Sequence, residues 1–139
     1  MRLLIDTHIF LWYAKKRDRL SRNVKALIED LGNQVYVSAE SLREFVLLWK
    51  NKKDIQRLWQ SPQEMIRAVE DVYDFQILYL KKEQYEQYAH LRPNEAQAHY
   101  DPSDHMIIAH AICNRLPLIS ADEKFPFYRE QGLELIDNG

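Results

Sequence analysis

Five short apolar runs constrain this chain more than anything else in it. They are RLLI (2–5), VYV (35–37), QILYL (76–80), LPLIS (116–120) and LELI (133–136). Several are apolar on successive residues, which marks strands covered on both faces. Between them lie stretches of helical periodicity, roughly 8–16, 21–31, 41–53, 62–73, 82–91 and 103–115. Strand and helix in alternation predict an α/β sandwich with a mostly parallel, roughly five-stranded central sheet. The 139 residues suit a single domain spanning 1–139.

Several classes are excluded early. No apolar run reaches the roughly 18 residues of a membrane-spanning helix. The opening MRLLID starts directly as a strand, without an apolar leader. The single cysteine, Cys113, cannot form an internal disulfide and reads as a small core residue. A cytoplasmic chain without a membrane partner is therefore expected. The net charge of −2 argues against a bulk binder of nucleic acid. Its distribution says more. Residues 1–60 carry twelve Lys/Arg against seven Asp/Glu, whereas residues 61–104 carry four against nine. Much of the basic excess lies in KKRDRLSRNVK (15–25) and KNKK (50–53). Such runs read either as solvated helix faces or as a rim facing a polyanion, with Lys15, Lys16, Arg17, Arg19 and Arg22 as candidate contacts to its charged backbone.

The acids fall in a pattern. Asp6 ends the first strand, and Glu44 sits one turn into the helix after the second. Asp104 lies in the first turn of the helix before LPLIS, and Asp122 follows that strand. In an open parallel sheet these places share the edge where ligands bind. Four carboxylates there would repel one another, and a divalent cation with oxygen ligands relieves that repulsion. Mg²⁺ or Mn²⁺ is the expected cofactor.

Each acid also has a plainer reading. In DPSD (101–104), Asp101 caps the helix with Pro102 at its first position, and Asp104 can be a solvated first-turn acid. Glu44 can pair with Arg43 or Lys50, and Asp122 can be a turn residue before KFPFY. With four acids at strand ends, the reading favours Asp101 as cap and Asp104 as ligand. Ser41, or Ala39-Glu40, is expected to open the helix that carries Glu44. The histidines read as surface or core groups, and oxygen-rich surroundings disfavour zinc. Trp49, Trp59, Tyr85 and Tyr88 read as packing or as a partner surface.

Four motifs then carry a resemblance. LLIDTHIFLW (3–12) resembles the opening of PIN domains of the VapC toxin type. VSAESLREF (37–45), HYDPSDHMIIAHA (99–111) and LPLISADEKF (116–125) resemble that family's later segments, in the family's order. The resemblance implies a PIN-like α/β/α fold and a metal-dependent endoribonuclease with one or two ions. Asp6, Glu44, Asp104 and Asp122 match the family's acidic quartet, with Asp6 and Asp104 nearest the metal. Thr7 and Ser120 match hydroxyl positions lining the pocket, and Asp101 and His99 match positions that recur in the group. A metal-activated water would then attack the phosphodiester. The resemblance also implies a small antitoxin whose tail crosses the acidic groove, and toxin subunits paired as a homodimer. The helical region 41–60 offers an apolar groove for such a partner.

The departures are Ser103 for the usual phenylalanine, His105 for arginine and Ser120 for threonine. His105 removes a permanent positive charge beside Asp104, which predicts a weaker or pH-dependent RNA contact there. Two other functions compete. A catalytically inactive PIN-like binding module would keep the acids for structure. A phosphate-handling receiver or phosphatase would need an aspartate ending a middle strand, and FQILYLKKE has none.

Overall fold

The computed structural model describes residues 1–138. Five strands form one sheet: β1 (Arg2–Ile5), β2 (Gln34–Ser38), β3 (Gln76–Leu78), β4 (Leu118–Ser120) and β5 (Leu135–Asp137). Their order is β3-β2-β1-β4-β5, and every pairing is parallel. The chain winds outward from β1 to β2 and β3, then crosses to β4 and β5 on the other side. That reversal leaves a crevice beyond the carboxyl ends of β1 and β4.

The consecutive apolar residues of the strands fill both faces. In β1, Leu3 and Ile5 point into one core and Leu4 into the other, as side-chain alternation requires. The first core is closed by α1 (Thr7–Lys15), α2 (Arg22–Glu29), α3 (Ala39–Asn51), α4 (Lys53–Leu58) and α5 (Pro62–Asp71). Phe10 is its centre, with ring centroids 4.8 Å from Phe45, 5.4 Å from Tyr73 and 6.2 Å from Trp59. The second core is closed by α7 (Pro102–Asn114), which packs with α6 (Lys82–His90), and by a 3₁₀ segment, Phe125–Gln131. The result is an α/β/α sandwich.

The structure departs from expectation at a few places. The helix predicted over 41–53 opens at Ala39, the earlier of the two starts the sequence offers, because the Ser38 side chain, not that of Ser41, accepts the first free N–H, from Glu40 at 3.1 Å. Extended backbone at Lys52 then starts α4 as a separate helix, whose Ile55 reaches the core. The strand predicted over 76–80 stops at Leu78, since β3 pairs on one side only and Tyr79 turns to solvent. The 3₁₀ segment was unforeseen. Three residues per turn place Phe125 and Tyr128 on one face, so both bury, and Gly132 ends it at φ 106°.

Replacing Phe10 by alanine removes the ring that four other aromatic side chains share. Phe10→Ala should lower unfolding free energy by about 3–5 kcal/mol. Urea unfolding followed by tryptophan fluorescence measures this, since the buried Trp59 lies against Phe10.

Candidate active site

Asp6 is fixed from two sides. Its N–H donates to the Ile119 carbonyl at 3.2 Å, which ties it to the end of β4. Its Oδ1 accepts from Ile9 N–H at 2.9 Å and so caps α1. The strand-to-helix junction therefore forces this carboxylate inside. Burial raises its pKa, a hydrogen bond from Ser120 and the Ile9 N–H oppose the rise, and Asp122 adds to it.

Asp122 sits just past β4. Its N–H donates to Ser120 Oγ at 3.1 Å, and its Oδ1 accepts from Lys124 N–H at 2.9 Å. Ser120 is itself buried, one layer below the cleft.

Asp104 is held by α7. Asp101 caps this helix, accepting from Ser103 N–H at 2.8 Å and Asp104 N–H at 3.2 Å. Asp104 Oδ2 lies 2.9 Å from His99 Nε2. Its pKa is pushed up to about 6, by burial first and then by Asp101 and Asp122, with His99 opposing.

Glu44 faces the same space from α3. Thr7 Oγ1 lies 2.5 Å from Glu44 Oε1 and 2.9 Å from the buried Ser41 Oγ. The one Thr7 proton serves the carboxylate, the stronger acceptor. Neither Arg43 nor Lys50 pairs with Glu44. Arg43 bonds Glu40 instead, and Glu40 also accepts from Ser103 Oγ at 2.9 Å, joining α7 to α3.

Asp6, Glu44, Asp104 and Asp122 thus line one cleft of about 320 Å³, together with Thr7, His99 and Asp101. A nitrogen of His99 and one oxygen each of Asp104 and Asp122 lie within 4.8 Å of one another. Two of these acids carry raised pKa values, with burial as the largest cause in each and Asp122 adding to both. An oxygen-rich, undercompensated set of this kind fits a hard divalent cation.

The basic residues divide. Lys15, Lys16 and Arg19 border a second cavity of about 200 Å³ that shares His8 with the acidic cleft. There the Arg19 guanidinium lies 5.1 Å over the Trp12 ring, and Lys15 pairs with Asp54. Arg17 turns away, 3.9 Å over Tyr13 and 3.9 Å from Glu29, and Arg22 is exposed on α2. Lys15, Lys16 and Arg19 lie together beside the cleft; Arg17 and Arg22 do not.

His8 and Tyr128 near the site escaped the sequence reading, and His105 is placed otherwise than it predicts. His8 lines the cleft although its helix looked apolar. His105 does not face outward as a substitute for arginine. It turns inward, its Nε2 2.8 Å from the His99 carbonyl and 3.1 Å from Tyr128 Oη. Tyr128, in the unforeseen 3₁₀ segment, bonds His99 Nδ1 at 2.9 Å. Burial lowers the pKa of His105 and raises that of Tyr128. Ala98, with left-handed backbone at φ 51°, folds the chain back so that His99 bridges to Asn94.

The profile of the PIN domain family matches residues 3–130. The chain belongs to the PIN domain family. No curated protein sequence matches it significantly. Solved structures with the same fold include VapBC2 from Rickettsia felis, bound to a DNA fragment from its promoter (TM-score 0.72, 19% identity, covering 99% of this chain and 98% of that one). FitAcB from Neisseria gonorrhoeae is similar (TM-score 0.68, 19% identity, 99% and 98%). So is VapBC-5 of Mycobacterium tuberculosis, from the VapBC family of toxin–antitoxin systems (TM-score 0.65, 21% identity, 98% and 98%). Among the described residues no helix is long and apolar enough to cross a membrane.

The raised carboxyl pKa values have a consequence for stability without metal. The folded protein holds the Asp104 proton more tightly than the unfolded chain does. Ionising Asp104 therefore costs stability: the cost is absent below the ordinary value of 3.8, grows toward about 6 and is complete above it. Asp6 acts in the same direction. Thermal melts in EDTA should show Asp104→Asn gaining on wild type as pH rises from 4 to 7. Mn²⁺ at pH 7 should stabilise wild type more than Asp104→Asn.

Proposed function

We propose that this PIN domain is a Mg²⁺- or Mn²⁺-dependent endoribonuclease, the toxin of a toxin–antitoxin pair. The observation that carries the reading is the meeting of Asp6, Glu44, Asp104 and Asp122 in one cleft at the carboxyl ends of adjacent parallel strands. Membership of the PIN family and the fold shared with VapBC structures support it.

The four acids would hold the ion, with Asp6 and Asp104 as the central pair. When bound, the ion would lower the pKa of a coordinated water and neutralise the charge growing on the phosphate. The remaining work belongs to the chain itself. The α1 N-terminus keeps Asp6 turned inward, and Thr7 orients Glu44. Ser120 supports Asp6 and Asp122 from below. His99 orients Asp104. Lys16 and Arg19 would hold the RNA backbone beside the cleft, with Trp12 offering a face for a base.

The small antitoxin and the homodimer belong to the same proposal. Leu47 on α3 and Leu58 on α4 expose apolar surface available to such a partner. An inactive binding module is the competing reading.

Expression of the chain alone in a bacterial host, beside Asp104→Asn, decides between them. Growth arrest and discrete new RNA 5′ ends with wild type only are expected. A folded wild type that cuts no RNA with Mn²⁺ present would leave the binding module. In vitro, EDTA or Asp6→Asn should abolish cleavage. Lys16→Ala and Arg19→Ala should weaken RNA binding across sequences and reduce the salt slope by about 1 per lost phosphate contact.

A further inference from the structure

His99 could serve the acidic cleft in two ways. One of its ring nitrogens lies close enough to Asp104 and Asp122 to join them around a cation. Its Nε2 also lies 2.9 Å from Asp104 Oδ2, where it could instead donate a hydrogen bond. The position of one proton decides between these roles, and buried groups behind His99 determine that position.

The network begins and ends on backbone. Asn94 N–H, which can only donate, lies 3.0 Å from Tyr128 Oη. The His99 carbonyl, which can only accept, lies 2.8 Å from His105 Nε2. His105 therefore carries a proton on Nε2. That same N–H faces Tyr128 Oη at 3.1 Å. The Tyr128 oxygen thus meets two donors, and its own proton has one acceptor left, His99 Nδ1 at 2.9 Å. A neutral imidazole that accepts at Nδ1 carries its proton on Nε2. An imidazolium would leave the Tyr128 proton without an acceptor. Asn94, His99 and Tyr128 are all buried, so water does not offer an alternative partner.

We infer that Asn94 N–H, Tyr128 and His99 form a relay of fixed polarity, which makes His99 a hydrogen-bond donor that positions Asp104 and excludes it from the metal-ligand set. His105 is the second anchor of the relay. The arginine usual at its position could supply donors but no imidazole ring to pack across His99, which His105 meets edge-on at 5.1 Å between centroids. One lone pair of Asp104 Oδ2 is occupied by His99, so the carboxylate presents its remaining lone pairs to the cleft. The metal part of this inference rests on the proposed nuclease site; the proton arrangement does not.

Long-range ¹H–¹⁵N NMR of the histidine rings reads the arrangement directly. In EDTA, His99 should show a protonated Nε2 and an accepting Nδ1. Adding Mg²⁺ should leave that tautomer in place. A proton on Nδ1 in EDTA, or loss of the Nε2 proton on adding Mg²⁺, overturns the inference. Mn²⁺ affinity, measured by calorimetry, supplies a second readout. Tyr128→Phe keeps the ring but frees the tautomer, and should weaken Mn²⁺ binding by about tenfold. His99→Gln keeps a donor near the Nε2 position and should bind Mn²⁺ nearly as well as wild type. Adding Tyr128→Phe to His99→Gln should then change little, because the relay is already bypassed. Equal and additive losses from the two substitutions would mean a purely structural role and overturn the inference. If wild type bound no Mn²⁺ at all, the nuclease reading would fail, while the NMR result would still decide the tautomer.

Discussion

The parallel pairing of β1 with β4 is the constraint on which the site depends. It brings the residues after two distant strands to one edge, so Asp6 and Asp122 meet although 116 positions separate them. Nothing local favours that meeting: burial raises the Asp6 pKa, and the charge of Asp122 adds to the rise. The cost is borne by the cores on either face of the sheet. β1 is fully buried from Leu3 to Ile5, and a shift of one residue would move every side chain to the wrong face. Register is therefore strongly held, and the acids go where the strands end.

Helix starts then do the fine placement. Asp6, Ser38 and Asp101 each cap the helix that follows, and each cap fixes an acid of the cleft or its helix. A capping side chain satisfies backbone N–H groups that have no partner within the helix. The same groups soften the charge of a carboxylate beside them. Capping thus contributes to the fold and makes a crowded acidic edge tolerable. Beneath it lies a layer of neutral hydrogen-bonding groups: Thr7, Ser41, Ser120, His99 and Tyr128. They set the direction of the carboxylates without adding charge. The cleft is hydrogen-bonded from below and open above, as a metal and a charged substrate would require.

The fold was largely legible in the residues. Successive apolar residues in RLLI and LPLIS, with helical periods between, sufficed for a parallel sheet clothed on both sides. The capping signal at Asp101-Pro102 located α7 within a residue. The site was legible in part. Asp6, Asp104 and Asp122 stood out because each lies at a strand end or a helix start. Glu44 was harder, with a basic neighbour on its own helix, and it is its contact with Thr7 across to α1 that holds it toward the cleft. The relay was invisible. Tyr128 sits in a segment whose 3₁₀ winding has no strong local signal, and it reaches His99 across 29 residues.

Sequence by itself determined the strands, most helices and their caps, because those follow from side-chain period, backbone entropy and donors left free within a few residues. It also determined that acids would gather at one edge, since strand direction is shared across a parallel sheet. Only the tertiary structure decided what each acid touches. Arg43 turns to Glu40 rather than Glu44, and His105 turns inward rather than outward. The direction of a single buried proton depends on Asn94, Tyr128, His99 and His105 at once. Choices of this kind are made by geometry between elements far apart in the chain, to which no local pattern of residues is sensitive.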